Sequence, residues 1–183
     1  MTDQNIYEFT NYHFEQEPVV YKNVDKSESI SSIVAFDLTQ SQCIMLGIKL
    51  EKIMRQYISS FEHVLNIKQK NKKGKKERDH LFCVNGFKKI YAELKSNLNL
   101  DTEKRVKTAE KVKHISSEEQ CDGFLVSLRY YTEVPTLVKL RYKGVKVLSV
   151  SEYFKLFDIE CPFGNIEMGY KIWLNQVAKK IIT

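Results

Sequence analysis

The chain reads as an α/β protein built on a mixed central β-sheet flanked by helices. Three observations predict this. Apolar residues recur at helical spacing after Asp37 and again towards the C-terminus. Asn85-Gly86 stands between two apolar runs, a strong hairpin signal. A lysine-rich helical stretch and two further strand-like runs come next, so the elements order as helix, hairpin, helix, strand, strand, helix.

Residues 1–36 are the least patterned. Tyr7, Phe9, Tyr12 and Phe14 sit among polar residues, and residues 27–32 look like a turn. An arm, a short hairpin or a dimer contact all fit. The first clear helix begins near Asp37 or Thr39, both good N-cap types. Its apolar positions are Ile44, Ile48, Ile53, Met54, Tyr57, Ile58, Phe61 and Leu65. Glu51 falls at the edge of that face, one turn before Arg55, a natural ion-pair partner.

The hairpin follows a basic loop. A two-residue turn, Asn85-Gly86, would set Asp79 opposite Ala92. A three-residue loop, Val84-Asn85-Gly86, would set Asp79 opposite Tyr91 and diagonal to Glu93 on one face. Asp101 is an N-cap candidate for a helix to about residue 114. Val106, Ala109 and Val112 lie on one side of it, and Lys104, Arg105, Lys107, Lys111 and Lys113 cover much of the rest. Residues 123–134 read as a core strand and 146–150 as another. Ser151 caps a short helix to Phe157. A last amphipathic helix carries Ile166, Tyr170, Trp173, Leu174, Val177 and Ile181.

At 183 residues, 1–183 is most simply one domain. The hydrophobic fraction of 43% excludes a disordered chain, and 7 Gly with 3 Pro argue against a loop-dominated one. A net charge of +6 suits a polyanionic partner. Its distribution matters more: seven of the eleven residues 68–78 are Lys or Arg. Lys72, Lys73, Lys75 and Lys76 in that loop are candidates for phosphate contact; a solvated loop is the plain alternative. Four cysteines lie far apart with no C-x-x-C pair, which fits reduced thiols in a cytoplasmic protein. No signal peptide is visible, and no apolar run nears the ~20 residues of a membrane span. There is no Gly-rich phosphate loop, hence no nucleotide cofactor, and the four histidines form no recognisable nucleophile or metal pattern.

Chemistry concentrates between Asp79 and Lys95. In an extended strand Glu93 and Lys95 share a face, while Ile90, Ala92 and Leu94 point the other way into a core. Two carboxylates beside a lysine suit a hard divalent cation and a water next to a phosphate. Ser96, Asn97 and Asn99 follow at once. Their amides and hydroxyl could read base edges or merely shape a turn. Lys104 and Lys107, on the next helix, face either a phosphate backbone or solvent.

These residues resemble the PD-(D/E)xK nuclease superfamily, most of all a type II restriction endonuclease. The resemblance rests on Asp79, on Ala92-Glu93-Leu94-Lys95, and on the segment from Ser96 to Lys104 that leads into a helix. It extends to the earlier helix with Gly47 and Glu51, and covers roughly residues 40–157. Arg78 stands where the motif's name has proline. The resemblance implies a restriction-endonuclease-like core in residues 37–183, with 1–36 as an accessory segment. It implies Mg²⁺ held by Asp79, Glu93 and the Leu94 backbone carbonyl, with Lys95 polarising the attacking water and Glu51 as an outer or second-metal ligand. The implied activity is sequence-specific cleavage of double-stranded DNA by a homodimer, leaving 5′-phosphate and 3′-hydroxyl ends. A repair or junction-resolving nuclease of the same fold, or a basic nucleic-acid-binding module without catalysis, are the alternatives.

Overall fold

The structure is a computed structural model and describes residues 5–19, 33–67, 78–164 and 166–182. Its centre is a five-stranded sheet in the order β1 (Val64–Asn66), β2 (His80–Val84), β3 (Lys88–Lys95), β4 (Asp122–Ser127), β5 (Lys146–Leu148). β1, β2 and β3 run antiparallel, whereas β3, β4 and β5 are parallel. The parallel pair β3–β4 needs a crossover, and α3 (Thr102–Glu119) supplies it.

Strand alternation assigns the two faces. Ile90, Ala92 and Leu94 enter the larger core with Leu46, Leu50, Ile53, Phe82, Val126 and Trp173. That core is covered by α1 (Ile6–Gln16), α2 (Gln40–Ser59), α5 (Val150–Lys155) and α6 (Glu167–Ile182). Tyr91 points the other way and packs with Leu81 beneath Val112 and Ile115 of α3. A smaller cluster around Leu125, Tyr142 and Val147 continues that second face, below α4 (Thr136–Leu140).

The hairpin loop is three residues long but sits one residue later than expected. Val84 pairs with Lys88, leaving Asn85, Gly86 and Phe87 as the loop. Asn85 and Gly86 both take positive φ, 53° and 77°, the turn that matches strand twist. Phe87 is the added residue and is 82% exposed. Extending the ladder beyond His80↔Ala92 sets Asp79 opposite Glu93 instead of Tyr91. The shift is two residues, so Asp79 stays on the expected face.

Other expectations move for local reasons. Thr39 caps α2 in a reciprocal capping box with Gln42. The helix buries Leu46, Leu50, Ile53 and Tyr57, while Ile44 and Ile48 are exposed. The first set runs unbroken at helical spacing; the second is followed by Glu51, Lys52 and Arg55. Leu65 lies on β1 and is exposed. The expected strand over 123–134 ends at Ser127, because the chain then leaves the sheet to meet α5: the Tyr130 and Tyr131 carbonyls accept the N–H groups of Val150 and Ser151 at 3.0 and 2.9 Å. Ser149, not Ser151, caps α5, with Glu152 completing the box, so β5 stops at Leu148. α3 runs on to Glu119, where Gln120 adopts a left-handed φ of 51°. α6 buries Tyr170, Trp173, Leu174, Val177 and Ile181, while Ile166 precedes it and is exposed. Among the described residues no helix is long and apolar enough to cross a membrane.

Within residues 5–19 the N-terminal segment is a helix, neither hairpin nor arm. Ile6, Thr10 and His13 form its buried stripe. The Trp173 indole N–H donates to Thr10 Oγ1 at 2.7 Å, and the Tyr7 hydroxyl donates to the Gly169 carbonyl at 3.1 Å. His13 is the polar centre of the α1–α2 contact. Its Nε2 lies 3.1 Å from the buried Lys49 ammonium, which donates, so Nδ1 carries the proton and donates to Gln56 Oε1 at 3.1 Å. Glu17 ties in both Lys49 and Lys52. Burial lowers the His13 pKa; the Gln56 hydrogen bond opposes it, and the Lys49 charge adds to it.

Because the folded state holds His13 neutral, its contribution to stability is complete above the unfolded pKa of about 6.5 and is lost as pH falls towards the depressed folded value. Urea unfolding at pH 7.5 and pH 5 should therefore show a loss on acidification that is smaller in His13→Asn. Equal losses in the two proteins would reject this role.

Candidate active site

Asp79 occupies the last position before β2. Its Oδ2 accepts the Leu94 N–H at 2.9 Å. The β2–β3 ladder ends at Ala92, so the Asp79 side chain takes the place of a strand carbonyl for this donor. A residue's N–H and C=O point to the same edge of an extended strand, so the Leu94 carbonyl faces the Asp79 edge. Arg78, in the position of the motif's proline, is buried and pairs with Glu118 and Glu119 of α3 at 2.8 and 3.0 Å. It anchors the chain where Asp79 begins.

Glu93 lies on the α3 face of the sheet and is 2% exposed. A carboxylate so buried must be compensated. The Lys111 ammonium, from α3, contacts both its oxygens, at 2.9 Å from Oε1 and 2.8 Å from Oε2. The Tyr91 hydroxyl donates to Oε2 at 2.6 Å, and Lys95 Nζ stands 3.3 Å from Oε1. Burial works to raise the Glu93 pKa, but the hydrogen bonds from Lys111 and Tyr91 and the two lysine charges outweigh it and hold the group ionised. Asp79 differs: burial, then the nearby Glu93 charge, raises its pKa to about 6 against the Leu94 hydrogen bond and the lysines. Two carboxylates that resist joint ionisation favour an added cation.

Glu51 is carried to the rim of this site by α2. Arg55 contacts the Glu51 carboxylate and also donates to the Asp79 backbone carbonyl, its Nε at 3.0 Å. His80, wholly buried, locks α2 and α5 to β2: its Nε2–H donates to the Glu51 carbonyl at 2.8 Å, and Nδ1 accepts from the Tyr153 hydroxyl at 2.6 Å. Glu51 is thus an ion-pair partner of Arg55, one residue link away from Asp79.

Asp79, Glu93, Lys95 and the Leu94 backbone thus lie close together beside the ends of β2 and β3. The following loop does not join them. Asn97 Oδ1 accepts the Asn99 N–H at 2.8 Å, a turn contact, and Asn99 Oδ1 accepts from Arg141 at 3.0 Å. Ser96 is half-buried just past β3. Lys104 and Lys107 are exposed and pair along α3 with Asp101 and Glu103. Lys72, Lys73, Lys75 and Lys76 lie outside the described residues. Sequence reading pairs Arg55 with Glu51, as the structure does, but misses its bond to the Asp79 carbonyl, and it misses Tyr91 and above all Lys111. A signal for Lys111 exists: Thr108, Lys111, Val112 and Ile115 share the i, i+3, i+4, i+7 stripe that α3 buries, which singles this lysine out from its neighbours. Ser127, beside Lys95 in the parallel ladder, adds a buried hydroxyl without a hydrogen-bond partner among the described residues.

Comparison of the chain with protein-family models, with curated proteins and with solved structures finds no match.

Among the described residues no group of three or more His, Cys, Asp or Glu converges on a common metal position. The donors present are two carboxylates and a carbonyl. That set is hard and oxygen-only, and Mg²⁺ characteristically binds through one or two carboxylates while keeping several waters. The residues fit such an ion.

Lys111 reaches Glu93 because α3 lies close on the sheet. At Gly123 of β4 a β-carbon would collide with the Ser116 hydroxyl and lie 3.0 Å from Ser116 Cβ and 3.1 Å from Val112 Cγ1. Gly123→Ala should therefore destabilise by about 1–3 kcal/mol, as overpacked cores do. Adding Ser116→Gly should return part of that loss. Chemical denaturation of the two single variants and the double variant checks this; additive losses would show that the contact is not the cause.

Proposed function

We propose that the chain is a Mg²⁺-dependent, sequence-specific endonuclease for double-stranded DNA, with a restriction-endonuclease-like core. One observation carries the reading: Asp79, just before β2, and Glu93, on β3, flank the Leu94 peptide, with Lys95 on the Glu93 face. This joins a hard-cation donor set to an ammonium within reach of a reacting phosphate.

In this reading Asp79, Glu93 and the Leu94 carbonyl hold Mg²⁺, which when bound supplies a Lewis acid for phosphoryl oxygen and acidifies water. Lys95 orients the attacking water and stabilises the negative charge that builds on the phosphoryl oxygens. The water oxygen bonds to phosphorus in line with the departing 3′-oxygen. The P–O3′ bond breaks, the 3′-oxygen gains a proton, and the water's proton passes to solvent. The products are a 5′-phosphate and a 3′-hydroxyl. Arg55 fixes the Asp79 backbone, and through it Glu51 bears on the site from outside. One such set per chain and two strands per duplex make a symmetric homodimer the economical assembly.

Glu93→Gln and Lys95→Ala should each abolish Mg²⁺-dependent plasmid cleavage while DNA binding persists, since binding is spread over many phosphate contacts. Cleavage near the wild-type rate in both variants would reject the mechanism. Intact DNA binding by a wild type that never cuts would favour a non-catalytic binding module. Nicked circles as the lasting product would favour a repair nuclease.

The basic segment of residues 68–78 should supply sequence-independent affinity. Replacing Lys72, Lys73, Lys75 and Lys76 by Ser should weaken binding to all sequences alike and flatten its salt dependence by up to ~0.9 log unit for each phosphate left without its lysine. An unchanged salt slope in a binding titration would reject a phosphate-binding role for this segment.

A further inference from the structure

We propose that Lys111 is a resident counter-cation of Glu93 that a divalent metal ion must displace, so that it sets the metal affinity of the site. The inference rests on the metal-site reading of Asp79 and Glu93 and goes beyond it, because Lys111 belongs to neither strand and to no part of the motif.

The geometry carries it. A carboxylate offers about four lone-pair positions on two oxygens. At Glu93 all are engaged: Oε1 meets Lys111 and Lys95, and Oε2 meets Lys111 and Tyr91. Tyr91 is fully buried in the sheet and cannot withdraw. Lys95 stands farther off, at 3.3 Å from a single oxygen. Lys111 bridges both oxygens at 2.9 and 2.8 Å, and its side chain retains 24% exposure on a flexible four-carbon stem. It is the ligand that a cation would replace, and the one free to swing outward.

The identity of the stem matters little to packing, so Lys111→Met removes the charge and keeps the length. Lys111→Arg keeps the charge and can hold both oxygens with its planar fork. Calorimetric titration with Mn²⁺ in the absence of DNA reads the metal affinity directly. Lys111→Met should bind at least about tenfold more tightly than wild type, because a like charge a few ångströms away is removed. Lys111→Arg should bind no more tightly than wild type. Adding Glu93→Gln to Lys111→Met should abolish the gain. Wild-type binding that is lost in Glu93→Gln but unchanged in Lys111→Met overturns the role of Lys111 and leaves the metal site standing. A gain that survives Glu93→Gln also overturns it, since the ion would then sit elsewhere. Failure of both wild type and Lys111→Met to bind Mn²⁺ rejects the metal site together with the inference.

Discussion

The structure depends on a carboxylate placed where water does not reach. Glu93 is almost wholly enclosed between β3 and α3. An uncompensated charge there would cost several kcal/mol or force neutralisation. The chain answers with two ammonium groups and a phenol from three different positions, Lys95, Lys111 and Tyr91. Two of these are strand neighbours, each two residues from Glu93 in sequence, and come at no topological cost. The third comes from α3 and fixes how that helix must cross the sheet.

Everything around the site serves that crossing. Gly123 permits α3 to approach β4. Arg78 and Lys89 bind Glu118 and Glu119 at the C-terminal end of α3, where acidic side chains otherwise oppose the helix dipole. On the opposite face, His80 joins α2 to α5 through β2, and Arg55 joins α2 to the backbone of Asp79. The cluster therefore sits on strands clamped from both sides. Strand β3 holds Glu93 and Lys95, and Asp79 is fixed just before β2 by its bond to the Leu94 N–H and by Arg55, which suits groups that must be positioned before a substrate arrives.

Much of this is legible in the sequence, and the limits have physical causes. Period-two alternation places Glu93 and Lys95 together whatever the register, because parity survives a two-residue shift. The same parity saves Asp79 although the loop begins at Asn85 and not at Val84. Helix faces are less secure. In α2 two apolar stripes compete, and only the packing partner chooses Leu46 over Ile44. α1 stays hidden because its buried stripe contains Thr10 and His13, polar residues that Trp173 of α6 and Lys49 and Gln56 of α2 meet by hydrogen bonds. Lys111 is one of five Lys and Arg residues on α3, and only its place beside the buried stripe tells it from those facing solvent. The short elements β1 and α4 follow from tertiary pairing more than from pattern.

Charge balance links the stable cluster to the chemistry proposed for it. Asp79 and Glu93 contribute two negative charges, and Lys95 and Lys111 two positive ones, so the resting cluster is close to neutral. A divalent cation alone would leave two positive charges in a confined place. A phosphodiester alone would bring a negative charge beside two carboxylates. Together they leave one positive charge in place of two, and each lowers the cost of admitting the other. In the proposed nuclease, metal and DNA phosphate thus bind as cooperating partners: the ammonium displaced from Glu93 has a phosphate oxygen to meet, and Lys95, released from sharing Glu93, is available to the water that attacks.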